Sequence, residues 1–157
     1  MKLKYFLFAC VMIAVAFSSC KSDPGISMEE QLAADEIRIK EFIEKNNIPA
    51  VRHESGVYYQ VLAPGAGNLV YTGNTAITAK YTLRLLNGNS VPQPTEPIGF
   101  TLGGVITGWQ IGIPLIQKGG KIRLIIPSVF AYGSQQQNGI PSNSILDFDI
   151  ELVNAQN

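Results

Sequence analysis

The chain has 157 residues, with twelve basic and twelve acidic side chains, and 46% of its residues are hydrophobic. This length suits a single domain with a buried core. The balanced charge excludes electrostatic attraction to nucleic acid, which requires an excess of lysine and arginine. Because only two cysteines and one histidine are present, a Cys/His zinc site is excluded, and we expect neither a metal nor a cofactor.

Residues 1–19 have the order of a secretory signal peptide. Two lysines precede an apolar run over residues 5–17, and two serines follow it. The run has 13 residues, whereas a helix needs roughly 20 to span a bilayer. The pattern therefore predicts export with cleavage rather than a transmembrane helix.

The end of this segment, Phe17-Ser18-Ser19-Cys20, resembles the bacterial lipobox. The resemblance implies that Cys20 becomes the N-terminus, carries acyl chains and anchors the protein to a membrane of the bacterial cell envelope, on the periplasmic side or at the cell surface. The alternative is ordinary secretion with Cys20 left as a free thiol. Cleavage leaves Cys20 as the only cysteine, so no internal disulfide can form. The mature chain carries a net charge of −2.

Residues 20–26 predict a short spacer, and residues 27–50 predict a helix with a linker. Ser27 and Glu30 have the capping-box spacing, and Asn46 marks the end of the helix. Five apolar side chains recur on one side at helical spacing: Met28, Leu32, Ile39, Phe42 and Ile43. Two interpretations are open: the stripe packs on its own domain, or it pairs with a second copy to form a homodimer.

From residue 51 onward the hydrophobic pattern is that of strands. The candidate strands are 57–62, 75–86, 98–102, 121–126 and 145–153. Residues 107–116 predict a short internal helix, which Pro114 shortens or kinks because an interior proline costs roughly 3 kcal/mol. Residues 51–157 therefore predict an antiparallel α+β domain with five or six strands.

The last strand alternates between apolar and acidic side chains. The even-numbered residues of 146–152 are apolar and predict the core face. Asp147, Asp149 and Glu151 predict a solvated outer face rather than a metal site. His53 has no nucleophile motif near it, and we expect a solvated loop residue.

Several short motifs follow one another between residues 55 and 153. They are Leu102-Gly103, Val105-Ile106-x-Gly108-Trp109-x-x-Gly112, Gly119-Gly120-Lys121, Ala131-Tyr132-Gly133, Ile140-Pro141 and Leu146-x-Phe148-Asp149-Ile150-Glu151-Leu152. Their order and spacing resemble the FKBP-type peptidyl-prolyl cis-trans isomerases. The resemblance implies an FKBP-like fold, with an antiparallel sheet curled around a short helix, here preceded by the N-terminal helix.

The resemblance also implies an activity, the isomerisation of Xaa-Pro bonds in exported proteins that fold outside the cytoplasm. The implied catalytic set is Tyr81, Ile106, Trp109 and Tyr132. Trp109 would form the pocket floor, while the Ile106 N–H and the Tyr132 hydroxyl would bind substrate carbonyls. The implied substrate-binding walls are Val91, Ile98, Val105, Ile140 and Phe148.

The chain departs from the family pattern at the pocket rim. Val91 and Pro92 occupy the places of a common Phe-Asp pair, and Ile98 replaces an aromatic wall. Three functions remain open: a working isomerase, an FKBP-fold chaperone that holds proline-containing segments with little turnover, or a component of an envelope assembly. Retention of Trp109 and Tyr132 favours the first, whereas loss of the Phe-Asp pair favours the second.

Two tyrosines compete for one position of the family pattern. Tyr71 begins a Tyr-Thr-Gly motif, but Tyr81 has the correct distance to the Asn87-Gly88 turn. Choosing Tyr81 leaves one extra residue after Gly73, which a β-bulge would absorb.

Overall fold

The computed structural model describes residues 26–157. The predicted signal peptide, Cys20 and all but the last residue of the predicted spacer lie outside the described residues. Within 26–157, no helix is both long enough and apolar enough to cross a membrane.

The fold is one antiparallel sheet with a helix on each face. Its elements are α1 (Met28–Lys45), β1 (Val51–Arg52), β2 (Tyr58–Ala63), β3 (Ala76–Leu85), β4 (Ser90–Val91), β5 (Ile98–Thr101), α2 (Thr107–Gly112), β6 (Lys121–Ile126) and β7 (Leu146–Gln156). In the described residues the sheet has seven strands, in the order β1-β2-β6-β7-β3-β4, and β5 also pairs with β3. Both helices and the five longer strands were predicted; the two-residue strands β1 and β4 were not.

β3 and β7 form the longest pairing and lie side by side in the sheet. The register shifts between Thr78 and Ala79, whose partners on β7 are two residues apart rather than one. Val153 is therefore an extra residue on β7, as in a β-bulge. The sequence predicted a bulge in β3 between residues 73 and 81. The irregularity lies beside Thr78 and Ala79, within the predicted range, but the additional residue belongs to β7 and not to β3.

α2 lies against β6 because two of its residues have no side chain. A Cβ atom added to Gly108 would overlap the Ile126 side chain, and one added to Gly112 would overlap Leu124. The spacing of these glycines, one helical turn apart, places both on the face that meets the sheet. Pro114 follows in a 3₁₀ turn, so α2 is short, as predicted.

α1 begins and ends where the sequence predicted. The Ser27 hydroxyl accepts the N–H of Glu30, and the Glu30 carboxylate accepts the N–H of Ser27, which completes the capping box. Asn46 is the C-cap. Met28 was assigned to the buried stripe, but it is 65% exposed because it lies in the first turn, before the helix reaches the sheet.

The main hydrophobic core lies between the sheet and α2, and a separate cluster lies between α1 and the outer face of the sheet. Ile39 is fully buried in it, and Phe42 and Ile43 pack beside it. The residues that complete it from the rest of the domain are Ile48, Tyr58, Ile125 and Ile145. The apolar stripe of α1 therefore packs on its own domain, as the first interpretation expected. Pairing with a second copy stays a prediction.

A charged contact accompanies this packing. Glu36 of α1 accepts hydrogen bonds from Arg52 at 3.0 and 3.2 Å and from the Tyr58 hydroxyl at 3.3 Å, and Lys40 lies 2.9 Å away. The hydrogen bonds from Arg52, and then from Lys40, lower the pKa of Glu36 to about 2. The carboxylate is therefore charged at neutral pH and ties α1 to β1 and β2.

The acidic residues of β7 differ in exposure. The side chains of Asp149 and Glu151 are 42% and 44% exposed, as expected for an outer face. The prediction was wrong for Asp147, which is 1% exposed. Asp147 lies opposite Ile125, and Ile125 belongs to the cluster under α1, so the helix covers this end of the outer face.

Candidate active site

A cavity of about 510 Å³ opens beside α2, between the sheet and the segment from residue 132 to residue 140. The residues that line it are Tyr81, Leu83, Val91, Pro92, Gln93, Phe100, Gly104, Val105, Ile106, Trp109, Tyr132, Gln137, Asn138, Ile140 and Phe148. They come from β3, β4, β5, α2, β7 and the loops between them, so the complete fold is needed to assemble the cavity.

Four aromatic rings form the deep end of the cavity. Trp109 is 3% exposed, and its ring centre lies 5.0 Å from that of Tyr81, 5.7 Å from that of Phe100 and 5.5 Å from that of Phe148. All three contacts are edge-to-face, the arrangement that the charge distribution of aromatic rings favours. The Trp109 indole N–H is buried and finds no acceptor among residues 26–157.

One backbone donor is presented where α2 begins. Ile106 precedes the helix, and its carbonyl accepts the N–H of Trp109 at 2.9 Å. No backbone carbonyl of residues 26–157 accepts the N–H of Ile106 itself. The Gln110 side chain donates to the Val105 carbonyl at 2.8 Å, which fixes the chain just before this donor.

Tyr132 lines the cavity and is 37% exposed, which places it at the opening. The chain reaches it through a 3₁₀ helix, Ser128–Phe130, and leaves it through Gly133, whose φ of +56° is in the left-handed region.

Burial first, and the nearby Tyr132 second, raise the pKa of Tyr81. The Tyr81 hydroxyl therefore stays protonated at neutral pH.

The structure brings together eight of the nine residues that the resemblance implied. Tyr81, Ile106, Trp109 and Tyr132 all line the cavity, and so do four of the five wall residues. The exception is Ile98, which lies on β5 opposite Ala79 and is not among the lining residues. Phe100, two positions further on the same strand face, lines the cavity instead.

Sequence reasoning missed six lining residues and placed a further one, Pro92, at the rim without a role. Leu83 and Phe100 lie two positions from Tyr81 and Ile98, so strand alternation was a usable signal for both. The polar residues Gln137 and Asn138 lie in a loop with no periodic pattern. The backbone of Gln137 exchanges two hydrogen bonds of 3.0 Å with Ile140, which closes this loop over the cavity. The remaining two are Gln93 and Gly104.

The lining contains no acid, no base and no cysteine. Apart from two tyrosines, none of its side chains is ionisable. Within the described part of the chain, no group of three His, Cys, Asp or Glu side chains is arranged to hold a metal ion. His53, predicted to be solvated, is half-buried because its ring contacts the Ser55 hydroxyl at 2.9 Å and the Tyr59 ring, and it does not line the cavity.

The two competing tyrosines have different environments. Tyr81 lines the cavity, whereas the Tyr71 hydroxyl donates to the Ile116 carbonyl at 2.9 Å and is not among the lining residues. Burial raises the pKa of Tyr71. The Tyr71 hydrogen bond therefore holds the segment that follows α2, and of the two tyrosines Tyr81 is the one that lines the cavity.

An antiparallel sheet packed against a short helix, with an aromatic cavity beside that helix, defines the class of this domain. The family model described as FKBP-type peptidyl-prolyl cis-trans isomerase matches residues 70–153, which is more than half of the chain. The chain belongs to the FKBP family.

Two similar curated relatives carry the same name, FkpA. The chain is 41% identical over 134 residues to the FKBP-type peptidyl-prolyl cis-trans isomerase FkpA of Buchnera aphidicola subsp. Schizaphis graminum. It is 37% identical over 141 residues to FkpA of Escherichia coli K12. These alignments cover 83% and 87% of this chain but only 52% of each relative. The chain thus spans about half the length of the curated relatives that it matches.

Two solved structures are similar over most of the described domain. The crystal structure of FkpA from Escherichia coli matches with a TM-score of 0.69 and 36% identity, covering 82% of this chain and 62% of that one. The crystal structure of a peptidyl-prolyl cis-trans isomerase from Pseudomonas syringae matches with a TM-score of 0.67 and 30% identity, covering 83% of this chain and 97% of that one.

Proposed function

We propose that this protein catalyses the cis-trans isomerisation of Xaa-Pro peptide bonds. The observation that carries the proposal is the aromatic cavity with no acid, base or nucleophile in its lining. Rotation about a peptide bond has a barrier of roughly 18–20 kcal/mol because it breaks amide resonance. The twisted amide has less charge separation than the planar one, so apolar walls favour the transition state over the ground state.

The lining residues take distinct parts in this reaction. The proline ring lies against the indole of Trp109, where the rings of Tyr81 and Phe148 enclose it. The Ile106 N–H and the Tyr132 hydroxyl donate to carbonyls of the substrate on either side of the rotating bond. Holding the ends of the segment while its centre twists lowers the entropic part of the barrier.

The test is the rate of cis-to-trans exchange of Xaa-Pro peptides with the purified protein and its Tyr132→Phe variant. We expect acceleration by the protein, and a kcat/KM that is roughly 2- to 10-fold lower in the variant, because one neutral hydrogen bond contributes about 0.5–1.5 kcal/mol. Tyr71→Phe is the matched control, since it removes a tyrosine hydroxyl outside the cavity. Absence of acceleration across a varied peptide panel, from folded protein, would sink the proposal.

A second function is favoured by the altered rim. Val91 and Pro92 line the cavity, so no carboxylate stands at the place of the family aspartate. An FKBP-fold module of this kind would hold proline-containing segments as a chaperone with little turnover. Binding of proline-containing peptides without acceleration of their exchange would identify this function.

We also propose that the protein is a lipoprotein of the bacterial cell envelope, where it assists the folding of exported proteins. Residues 17–20 support this through their similarity to a lipobox. More than one acyl chain would give stable anchoring, whereas one chain binds a membrane only marginally. We expect membrane-extracted protein to begin at an acylated Cys20 in mass spectrometry, and Cys20→Ser to abolish the acylation. A mature N-terminus elsewhere, with a free thiol at Cys20, would contradict it.

A further inference from the structure

A completely buried carboxylate connects α1 to the loop that carries Tyr132. Asp35 of α1 is 0% exposed. One of its oxygens accepts the backbone N–H of Ser128 at 2.7 Å and the Ser128 hydroxyl at 2.6 Å. The other accepts the Gln31 amide at 2.9 Å and lies 3.8 Å from the Arg38 guanidinium. A buried carboxylate therefore has partners for both oxygens, and two of its bonds are made to a segment 93 residues away.

Ser128 is the first residue of the 3₁₀ helix that leads to Tyr132. Pro127, which precedes it, supplies no side-chain cap, so the first N–H of this helix has no local partner. Asp35 provides the missing acceptor from another part of the fold. The Ser128 carbonyl in turn accepts the N–H of Ala131 at 3.0 Å and of Gly133 at 2.8 Å, the residues on either side of Tyr132. A continuous set of hydrogen bonds thus runs from Asp35 to the backbone around Tyr132.

We propose that Asp35 is a positioning residue for Tyr132. The inference rests on the proposed isomerase function, in which the Tyr132 hydroxyl binds a substrate carbonyl. Hydrogen bonds to a charged acceptor are stronger than neutral ones, and a functional side chain needs such support to keep its geometry. Here the support comes from α1. This helix does not line the cavity, yet its carboxylate helps to hold Tyr132 in position.

The neighbouring carboxylate separates this role from simple docking of the helix. Glu36 follows Asp35 on α1, but its partners are Arg52, Tyr58 and Lys40, on β1, β2 and α1 itself. Glu36 makes no hydrogen bond to residues 127–133. Glu36→Gln therefore weakens the contact between α1 and the sheet without touching the loop, and it is a matched control for Asp35.

The experiment compares Asp35→Ala, Asp35→Asn and Glu36→Gln in the full-length protein, with Tyr132→Phe added to each. We expect Asp35→Ala to lower kcat/KM for Xaa-Pro peptides by roughly 2- to 10-fold, and by no more than Tyr132→Phe does, because it acts through the one hydrogen bond of the Tyr132 hydroxyl. Asp35→Asn keeps the volume and one acceptor, so it should fold and lose less. Glu36→Gln should change kcat/KM by less than about 2-fold. In the Tyr132→Phe background, Asp35→Ala should cause little further loss.

Two results would overturn the inference. One is an equal loss of kcat/KM in Asp35→Ala and Glu36→Gln. The other is a loss of kcat/KM from Asp35→Ala that is the same whether residue 132 is tyrosine or phenylalanine. Amide hydrogen exchange at Ala131 and Gly133 is a readout that does not require catalysis. Faster exchange in Asp35→Ala but not in Glu36→Gln supports the positioning role, and unchanged exchange contradicts it. Should the unmodified protein accelerate no peptide, the proposed function fails, and exchange alone decides about Asp35.

Discussion

Replacement of Trp109 by alanine is expected to lower kcat/KM for Xaa-Pro peptides on the order of 100-fold, because it removes the surface against which the proline ring is held. The indole contacts the rings of Tyr81, Phe100 and Phe148 edge to face, and each such pair contributes roughly 0.5–1.5 kcal/mol beyond its buried area. Truncation of a buried tryptophan costs about 3–5 kcal/mol of unfolding free energy. Trp109→Ala should therefore reduce activity and stability together.

Trp109→Phe is expected to reduce both losses. A phenylalanine keeps an aromatic floor, and it removes an indole N–H that is buried without an acceptor among residues 26–157. Because burial of an unpaired donor costs roughly 1–3 kcal/mol, its removal offsets part of the lost packing. We expect this variant to be more stable than Trp109→Ala and to retain more activity.

The measurements for both variants are kcat/KM below the unfolding transition and urea unfolding followed by circular dichroism. Tryptophan fluorescence cannot follow unfolding in either variant, since Trp109 is the only tryptophan. A folded Trp109→Ala protein with unchanged kcat/KM would show that the indole only fills the core and that the reaction does not use this cavity.

The sequence predicted most of the fold because strand and helix periodicity depend on local positions. In β3 the odd-numbered residues from Ile77 to Leu83 face the core, and in β7 the even-numbered residues from 146 to 152 do so. The capping pair Ser27 and Glu30 also acts within one turn. Each of these signals is complete within about ten residues of chain, so no knowledge of the tertiary structure was needed.

Contacts between distant segments could not be predicted in this way. Alternation assigned Asp147 to the outer face of the sheet, but it does not reveal that α1 covers that end of the face. Asp35 lies at a polar position of a helix, and nothing local indicates a partner 93 residues away. Asp147 was therefore expected in solvent, and Asp35 was not singled out at all, yet both are buried.

The site shows the same division between local and distant signals. Family motifs predicted the lining residues on α2 and β7, such as Trp109 and Phe148, because each motif lies within one short element. They were less reliable at the rim, where Ile98 was assigned to the wall and Phe100 occupies it. Gln137 and Asn138 were missed because loop residues have no periodicity.

Replacement of Asp147 by asparagine is expected to lower the free energy of unfolding by roughly 3–5 kcal/mol, the usual cost of removing one partner of a buried ion pair. Asp147 accepts two hydrogen bonds of 2.8 Å from Arg123 and one of 3.2 Å from Arg84. Burial opposes the charge of Arg84, but hydrogen bonds and attraction from Asp149 and Asp147 outweigh it and raise its pKa. The neutral amide leaves two partly buried guanidinium groups without their shared carboxylate.

Asp149→Asn is the matched control, since Asp149 lies two residues further along the same strand and accepts a 2.6 Å hydrogen bond from the same Arg84. Its side chain is 42% exposed, so solvent compensates for the lost charge and the cost should be about 0–1 kcal/mol. Urea unfolding of both variants gives the comparison. Equal losses would mean that burial under α1 contributes nothing to the strength of this ion pair. A much larger loss of unfolding free energy in Asp147→Asn would show that the cover of α1 over the outer face makes this ion pair important for the stability of the sheet.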